Sequence, residues 1–147
     1  MSKYQILREY EHNLMLIEDI LKKAGTTNNI ELTKLGKSII GDLFIGVFSS
    51  NEFPKRIYEG QSFIINTQSS KQSGLHRLAF VKYHKKLYGY DSYGRDIHKL
   101  SPYFKHKRFI NANSTRFESY AEKDCGERSL AFLLSFYKHG DKIINII

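Results

Sequence analysis

Apolar residues in the first part of the chain recur every three or four positions, which is the period of an amphipathic helix. The pattern predicts a helix over roughly residues 2–23, with Ser2 as its N-terminal cap and Gly25 just beyond its end. Such a helix packs one face against the body of the protein. The apolar stripe consists of Leu7, Tyr10, Leu14, Ile17 and Leu21.

Two further helices are predicted from the same period and from their end signals. The second covers residues 30–40, where Asn29 is a candidate cap and Gly41 a candidate terminator. The last covers residues 126–138, and Gly140 suits its C-terminal cap. Its packing face consists of Leu130, Leu133, Leu134 and Tyr137.

Between these helices the apolar positions change to the short runs that are typical of strands. Pro54 interrupts the region, and His84, Lys85 and Lys86 predict a hairpin turn between the third and fourth strands. Helices, then strands, then a helix favour the α+β class, with a central, mostly antiparallel sheet flanked by helices. The five predicted strands cover residues 43–48, 62–66, 78–83, 87–91 and 108–111.

The composition of the 147 residues, with 41% apolar and 26% charged, is that of one globular domain. No apolar run reaches the ~20 residues of a membrane helix, and the first residues are too polar for a secretory signal. Cys125 is the only cysteine, which excludes an intrachain disulfide. We therefore expect a monomer in an intracellular, reducing compartment, without a membrane partner.

The formal net charge of +8 is compatible with a nucleic acid or another polyanion as partner, and equally with the lysine bias of an AT-rich genome. The basic candidates are Lys105, Lys107 and Arg108, interleaved with Phe104 and Phe109. A solvated strand edge is the plainer interpretation of this run. Asn113 begins a glycosylation acceptor pattern, which we interpret as chance.

Cys125 directly precedes the last predicted helix, in the segment DCGERSLAFLL. The N-terminus of a helix has unpaired N–H groups and a partial positive charge, which lower a thiol pKa and can bind an oxyanion. Gly126 would let a substrate backbone approach closely. By itself the pattern also fits a structural, buried cysteine.

Among the six histidines, His76 has the most informative context, between a polar loop and an apolar strand. Asp91 ends the strand that forms a predicted hairpin with the strand after His76. Since an antiparallel hairpin returns the end of its second strand to the start of its first, Asp91 should lie beside His76. A base oriented by a carboxylate is what a thiol nucleophile requires. An exposed loop histidine and a turn aspartate are the plainer alternatives.

The order of His76, Asp91 and Cys125 resembles that of the adenovirus maturation protease (adenain) family, its Maverick/Polinton and virophage relatives and, more distantly, the ubiquitin-like-protein proteases. The likeness extends over residues 30–138, after an N-terminal helical extension of residues 1–25. It rests on the segments LFIGVFSSNEFP, FIINTQSSKQSGLHRLAF, LYGYDSYG and DCGERSLAFLL.

This resemblance implies a papain-like cysteine protease fold and a Cys-His-Asp triad, with Cys125 as nucleophile, His76 as base and Asp91 as its orienting partner. It implies cleavage of viral capsid or core precursor proteins through a thioester, in the infected cell or the virion. The sequence requires no cofactor, and no Cys/His cluster has metal-ligand spacing. Family resemblance adds DNA or a short peptide as an activator.

The chain departs from the family pattern in two places. Arg77 stands where the family usually has Trp, and Glu118 and Ser119 stand where it usually has an oxyanion-binding Gln. An ionised Glu118 about 4 Å from the oxyanion would oppose it by about 4 kcal/mol at an effective dielectric of 20. Three interpretations are compatible with this. In the first, Glu118 points away and Ser119 or backbone N–H groups near Gly126 bind the oxyanion. In the second, Glu118 is protonated, and in the third, the protein is a weak or inactive member of the family.

Other functions remain open at this stage. A catalytically weakened relative would act as a DNA-binding or structural virion protein. A protease for a ubiquitin-like modifier would use the same chemistry on another substrate. Another cysteine hydrolase or an acyltransferase is also compatible with the sequence.

Overall fold

The computed structural model describes residues 2–23, 28–67, 76–114 and 124–147. Within these ranges three helices and five strands form the fold, joined by short 3-10 turns. The helices are α1 (Lys3–Lys23), α2 (Asn29–Ile39) and α3 (Cys125–His139). The strands are β1 (Phe44–Phe48), β2 (Ser62–Asn66), β3 (Arg77–Tyr83), β4 (Lys86–Tyr90) and β5 (Ile110–Asn111).

The five strands form one mixed sheet in the order β1-β2-β3-β4-β5. The central pairs β2–β3 and β3–β4 are antiparallel, whereas the outer pairs β1–β2 and β4–β5 are parallel. The α+β class with a sheet flanked by helices is confirmed, and the sheet is mixed: the predicted antiparallel pairing holds for the long central pairs, whereas both edge strands pair in parallel. Turn residues in the sequence predict only antiparallel pairings between strands that are close in the chain. The edge strands pair across longer connections, which the sequence pattern does not predict.

Alternating side chains of the central strands enter two separate apolar clusters, one on each face of the sheet. The larger cluster lies between the sheet and the helices, and α1 supplies Ile6, Tyr10, Leu14, Ile17 and Leu21 to it. The smaller cluster lies on the opposite face and is rich in phenylalanine. Helix α1 is therefore part of the main core, with Ile6 rather than Leu7 fully buried.

The N-terminal cap predicted for α1 is confirmed, whereas the one predicted for α2 is wrong by one residue. Ser2 caps α1 as predicted, because its hydroxyl accepts from the N–H of Gln5, whose side chain accepts in return from Ser2 N–H. Asn28, not Asn29, caps α2, and its side chain accepts from the N–H of Glu31. The two asparagines are adjacent, so a sequence pattern does not distinguish them. The predicted terminator Gly25 falls outside the described residues.

The β3–β4 hairpin determines which residues meet at the edge of the candidate site. Its turn consists of His84 and Lys85, both with positive φ (49° and 66°), and the side chain of Glu59 accepts from both of their N–H groups. Lys86 already belongs to β4. Ala79 pairs with Tyr90, so the chain leaves β4 directly opposite the beginning of β3.

No helix in the four described ranges is long and apolar enough to cross a membrane.

Candidate functional site

His76 and Asp91 lie in contact at the open end of the hairpin. The His76 Nε2 to Asp91 Oδ1 distance is 2.6 Å, and the Asp91 side chain is completely buried while that of His76 is 12% exposed. His76 immediately precedes β3 and Asp91 immediately follows β4. The predicted proximity of these two residues is therefore confirmed by the register of the hairpin.

Four further hydrogen bonds hold the Asp91 carboxylate. The N–H of Tyr93 donates to Oδ1 at 3.2 Å, and the N–H of Arg95 donates to Oδ2 at 3.0 Å. The guanidinium of Arg95 donates through Nε to Oδ2 at 2.8 Å and through Nη2 to Oδ1 at 3.4 Å. Burial alone would raise the pKa of Asp91, but the hydrogen bonds and charges of His76 and Arg95 lower it from 3.8 to about 2. Asp91 is therefore an anion over the whole neutral range.

This anion fixes the proton positions on the His76 ring. A carboxylate only accepts hydrogen bonds, so the Nε2 atom that faces Asp91 carries a hydrogen. In the neutral imidazole the Nδ1 atom then has the free lone pair. His76 consequently has a defined basic nitrogen, which is a requirement for a general base.

Aromatic stacking orients the same ring from one side. The Tyr93 ring stacks on the imidazole of His76 with centroids 4.8 Å apart and planes inclined by 21°. The Arg95 guanidinium lies 4.7 Å from the Tyr93 ring centroid. A layer of His76, Tyr93 and Arg95 thus surrounds the buried carboxylate, and both ring and anion have little freedom to move.

Asn113 holds the backbone of Asp91 in place. Its side-chain amide donates to the Asp91 carbonyl oxygen at 2.7 Å, and its side-chain oxygen accepts from the Asp91 N–H at 3.4 Å. The residue is only 4% exposed. The side-chain amide of Asn113 is buried and hydrogen-bonded to the Asp91 backbone in this fold. This supports the interpretation of its glycosylation pattern as chance.

Cys125 is the first residue of α3 and is 5% exposed. A Cβ atom added at Gly126 would lie 3.3 Å from Cδ of Arg77 and 3.2 Å from Leu32. Ser129, one turn into the helix, donates to the Cys125 carbonyl at 2.7 Å and lies 3.4 Å from the Arg77 carbonyl oxygen. The start of α3 therefore packs against the start of β3, with Gly126 beside Arg77. Cys125 immediately precedes Gly126, and His76 immediately precedes Arg77.

The same contact gives Gly126 and Arg77 a structural role. Gly126 allows α3 to approach Leu32 of α2 and the Arg77 side chain closely. Arg77 donates through Nη2 to Asn29 at 3.0 Å, so its head group links β3 to the first turn of α2. The Arg77 Nε atom is buried and has no hydrogen-bond partner within the part of the chain that the structure describes.

No family model matches the chain, and no curated protein matches it in sequence. Glu118 and Ser119, the predicted oxyanion-region residues, lie outside the described residues. In the described ranges, no group of three or more His, Cys, Asp or Glu residues could hold a metal ion.

Basic residues line a groove of about 490 Å³ between the turn of the β3–β4 hairpin and the segment that leads into β5. Phe104 is completely buried in the smaller core, and Phe109 stacks on His98 with centroids 3.8 Å apart. The predicted interleaving of Phe104 with basic residues at a surface is therefore wrong. The groove is lined by Lys85, Lys86, Leu87, His98, Lys107, Arg108, Phe109 and Ile110.

Sequence reasoning did not find Tyr93, Arg95 or Asn113. The first two follow Asp91 by two and four residues, so the turn after β4 was a detectable signal. Asn113 reaches Asp91 from the segment after β5, through the parallel β4–β5 pairing. That pairing has no local sequence signal.

Proposed function

We propose that this chain is a cysteine endopeptidase with an adenain-like, papain-type arrangement of Cys125, His76 and Asp91. The observation that carries the proposal is the buried His76–Asp91 pair, held beside the N-terminus of the helix that begins at Cys125. A buried anion, an imidazole with a defined tautomer and a thiol at a helix N-terminus are the elements of thiol-based acyl transfer.

In the proposed reaction the Cys125 thiol transfers its proton to Nδ1 of His76, and the thiolate attacks the carbonyl carbon of a peptide bond. The tetrahedral intermediate collapses, the C–N bond breaks, and the departing amine takes the proton from His76. A water molecule, losing its proton to His76, then attacks the thioester, which releases the carboxylic acid and restores the thiol. Asp91 holds the ring and stabilises the imidazolium at each stage.

The oxyanion in this scheme is bound by backbone N–H groups at the N-terminus of α3, where the helix carries a partial positive charge. Ser119 is the proposed side-chain contributor. By resemblance, the substrates are precursor proteins of a virus or virus-like element, and a ubiquitin-like modifier is the alternative substrate. A DNA or peptide activator and a location in the infected cell or virion also follow from resemblance alone.

The first test measures alkylation of Cys125 by iodoacetamide from pH 4 to 9 in the wild type and in His76→Ala. A thiolate stabilised by His76 reacts well below the ordinary thiol pKa of about 8.5, and this low-pH reactivity disappears in His76→Ala. Because Cys125 is the sole cysteine, the modified site needs no further assignment. Alkylation confined to high pH and unchanged in His76→Ala would reject the proposal. A panel of peptides and ubiquitin-like fusions then distinguishes the substrates.

The basic groove favours a second candidate function, the binding of DNA by its phosphates. Four lysine or arginine side chains line it, and the chain carries a net charge of +8. We expect DNA affinity that falls steeply with salt, and a shallower salt slope in Arg108→Gln. Lys34→Gln on the exposed side of α2 is the matched control and should leave the slope unchanged. Equal slopes in the three proteins would remove this groove as the site.

A further inference from the structure

A cavity of about 440 Å³ lies at the end of α3 that is remote from Cys125. It is formed by the last turn of α3, the end of β3 and the segment that leads into β2. Helix α3 has 15 residues. At the rise of an α-helix, its two ends are therefore about 20 Å apart. The cavity is separate from the candidate site, and its volume is that of an ordinary small-molecule pocket.

The floor of the cavity is apolar and consists of Leu43, Val81 and Phe136. Val81 and Phe136 belong to the larger core cluster, which fixes their positions. The Tyr83 ring meets the ring of Phe136 edge-on, with centroids 5.3 Å apart. Leu43 lies just before β1 and is 44% exposed. An apolar group in the cavity would cover Leu43 and would contact side chains that are already ordered.

The backbone around the cavity keeps it open. Gly60 and Gly140 both have positive φ (84° and 65°), and a Cβ atom added at Gly140 would lie 2.9 Å from the Tyr83 hydroxyl oxygen. The Tyr137 hydroxyl of α3 donates to the Gly60 carbonyl oxygen at 2.5 Å and lies 2.8 Å from the Ser62 hydroxyl. These contacts hold the segment before β2 on the helix. The walls are therefore preformed, which is typical of a binding pocket.

The rim of the cavity is positively charged, because Lys82, Lys138 and Lys142 line it. Glu9 of α1 forms an ion pair with Lys138 and so compensates one of these charges. Lys82 donates to the carbonyl oxygen of Ile57 at 2.9 Å, a neutral partner that leaves its charge uncompensated, and Lys142 is exposed. The described part of the chain contributes no acidic residue to the lining. Two lysine charges are therefore available to a bound anion.

We propose that this cavity binds a small organic acid, with its apolar body on the apolar floor and its carboxylate beside Lys82 and Lys142. The charge of the rim selects an anion, since two full lysine charges exceed the partial negative charge of roughly half a unit at the C-terminus of α3. Lysine ammonium groups act as point charges and lack the planar fork of arginine. The carboxylate is therefore bound through its charge, with the Tyr83 hydroxyl on the rim as a further donor.

The experiment titrates isotope-labelled protein with naphthaleneacetate and follows the backbone N–H signals by nuclear magnetic resonance. The signals of Gly60, Tyr83 and Gly140 should shift saturably, with a dissociation constant of about 1 mM or below. Naphthaleneacetamide has the same apolar body without the charge and should bind about fivefold more weakly. A purely apolar cavity would instead favour naphthaleneacetamide, because the carboxylate must lose its hydration. Acetate, which has the charge without the apolar body, should not saturate these shifts over the same range.

Three variants separate the contributions of the rim and the floor. Lys142→Gln should weaken the binding of naphthaleneacetate about threefold and leave that of naphthaleneacetamide unchanged. Leu43→Asn should weaken the binding of both, because it removes part of the apolar floor. Lys34→Gln, at an exposed position of α2, is the matched control for charge and should change neither. Thermal unfolding checks that each variant is folded, and the Lys142→Gln result decides by itself if Leu43→Asn is not.

Three outcomes would overturn the proposal: equal affinity for naphthaleneacetate and naphthaleneacetamide, shifts confined to another part of the protein, or wild-type affinity in Lys142→Gln. A short peptide that ends in phenylalanine with a free carboxylate is a further probe. If it bound about tenfold tighter than naphthaleneacetate, the occupant would be a peptide C-terminus and the assignment to a small acid would be wrong. None of these measurements depends on Cys125, so their outcome is independent of the protease proposal.

Discussion

Asp91 is the side chain on which most of the candidate site depends. It is fully buried, yet it is anionic, because five hydrogen bonds from His76, Tyr93 and Arg95 replace its hydration. An uncompensated carboxylate at this depth would be protonated or would disrupt the fold. The arrangement of its neighbours therefore serves both stability and the orientation of the His76 ring.

The lowered pKa of Asp91 makes a prediction about acid stability. The pKa of Asp91 is about 2 in the folded protein and near 4 in the unfolded chain. The ionised carboxylate therefore contributes to the free energy of unfolding above pH 4, and this contribution is lost as pH falls toward 2. Asp91→Asn should lower the free energy of unfolding at pH 7 by about 2 kcal/mol or more, with the difference shrinking between pH 4 and 2. Urea denaturation across this range checks it, with the exposed Asp42→Asn as control. A difference independent of pH would contradict the assignment of charge.

The stacked Tyr93 ring makes a second prediction. Tyr93→Phe keeps the ring that packs on His76, whereas Tyr93→Ala removes it. The loss of such a contact is worth about 1 kcal/mol, which corresponds to a roughly fivefold fall in the His76-dependent alkylation rate of Cys125. Tyr93→Phe should remain within twofold of the wild type. Equal loss in both variants would point to the hydroxyl instead of the ring.

At the scale of elements, the sequence predicted the helices, the strands and the meeting of His76 with Asp91, because these depend on local periodicity and on one tight hairpin. It did not predict the parallel edges of the sheet or the cap at Asn28, because neighbouring asparagines look alike and long-range pairing has no local signal. Asn113 was missed for the same reason. Its role depends on the parallel β4–β5 pairing that brings it to Asp91, and a linear pattern does not give this position.

The α2–β1 contact makes a prediction at this scale. A Cβ atom added at Gly36 would clash with the ring of Phe44, which is completely buried. Gly36→Ala should therefore destabilise the protein by about 1–3 kcal/mol, although alanine favours a helix by about 1 kcal/mol over glycine. Ser38→Ala at an exposed position of the same helix is the control for propensity alone. A stabilised Gly36→Ala in thermal unfolding would show that Phe44 repacks without cost.

For the whole molecule, the main feature is that α1 belongs to the core and cannot be treated as an appendage. Ile17 is 3% exposed and packs in the larger cluster, whereas its neighbour Met15 is 67% exposed. Ile17→Ala should lower the free energy of unfolding by about 2–4 kcal/mol, and Met15→Ala by less than about 0.5 kcal/mol. Chemical denaturation of the two variants measures this. Equal effects would mean that α1 does not dock in solution as it does here.

Deletion of residues 1–25 tests the same docking more severely. It removes five buried side chains from the larger cluster and exposes the face of α3 that they cover. We expect loss of cooperative unfolding and of near-ultraviolet circular dichroism in the shortened chain. A shortened chain as stable and as reactive at Cys125 as the full one would show that α1 is dispensable.

The packing of α1 on α3 has a consequence for biosynthesis. The two helices lie far apart in the chain, so their contact is among the least local in the fold and closes a long loop of chain. A ribosome must release α3 before α1 can find its partner. A nascent chain therefore holds Cys125 outside any finished core until translation has passed His139, and the setting proposed to activate its thiol is absent while the polypeptide is still being made.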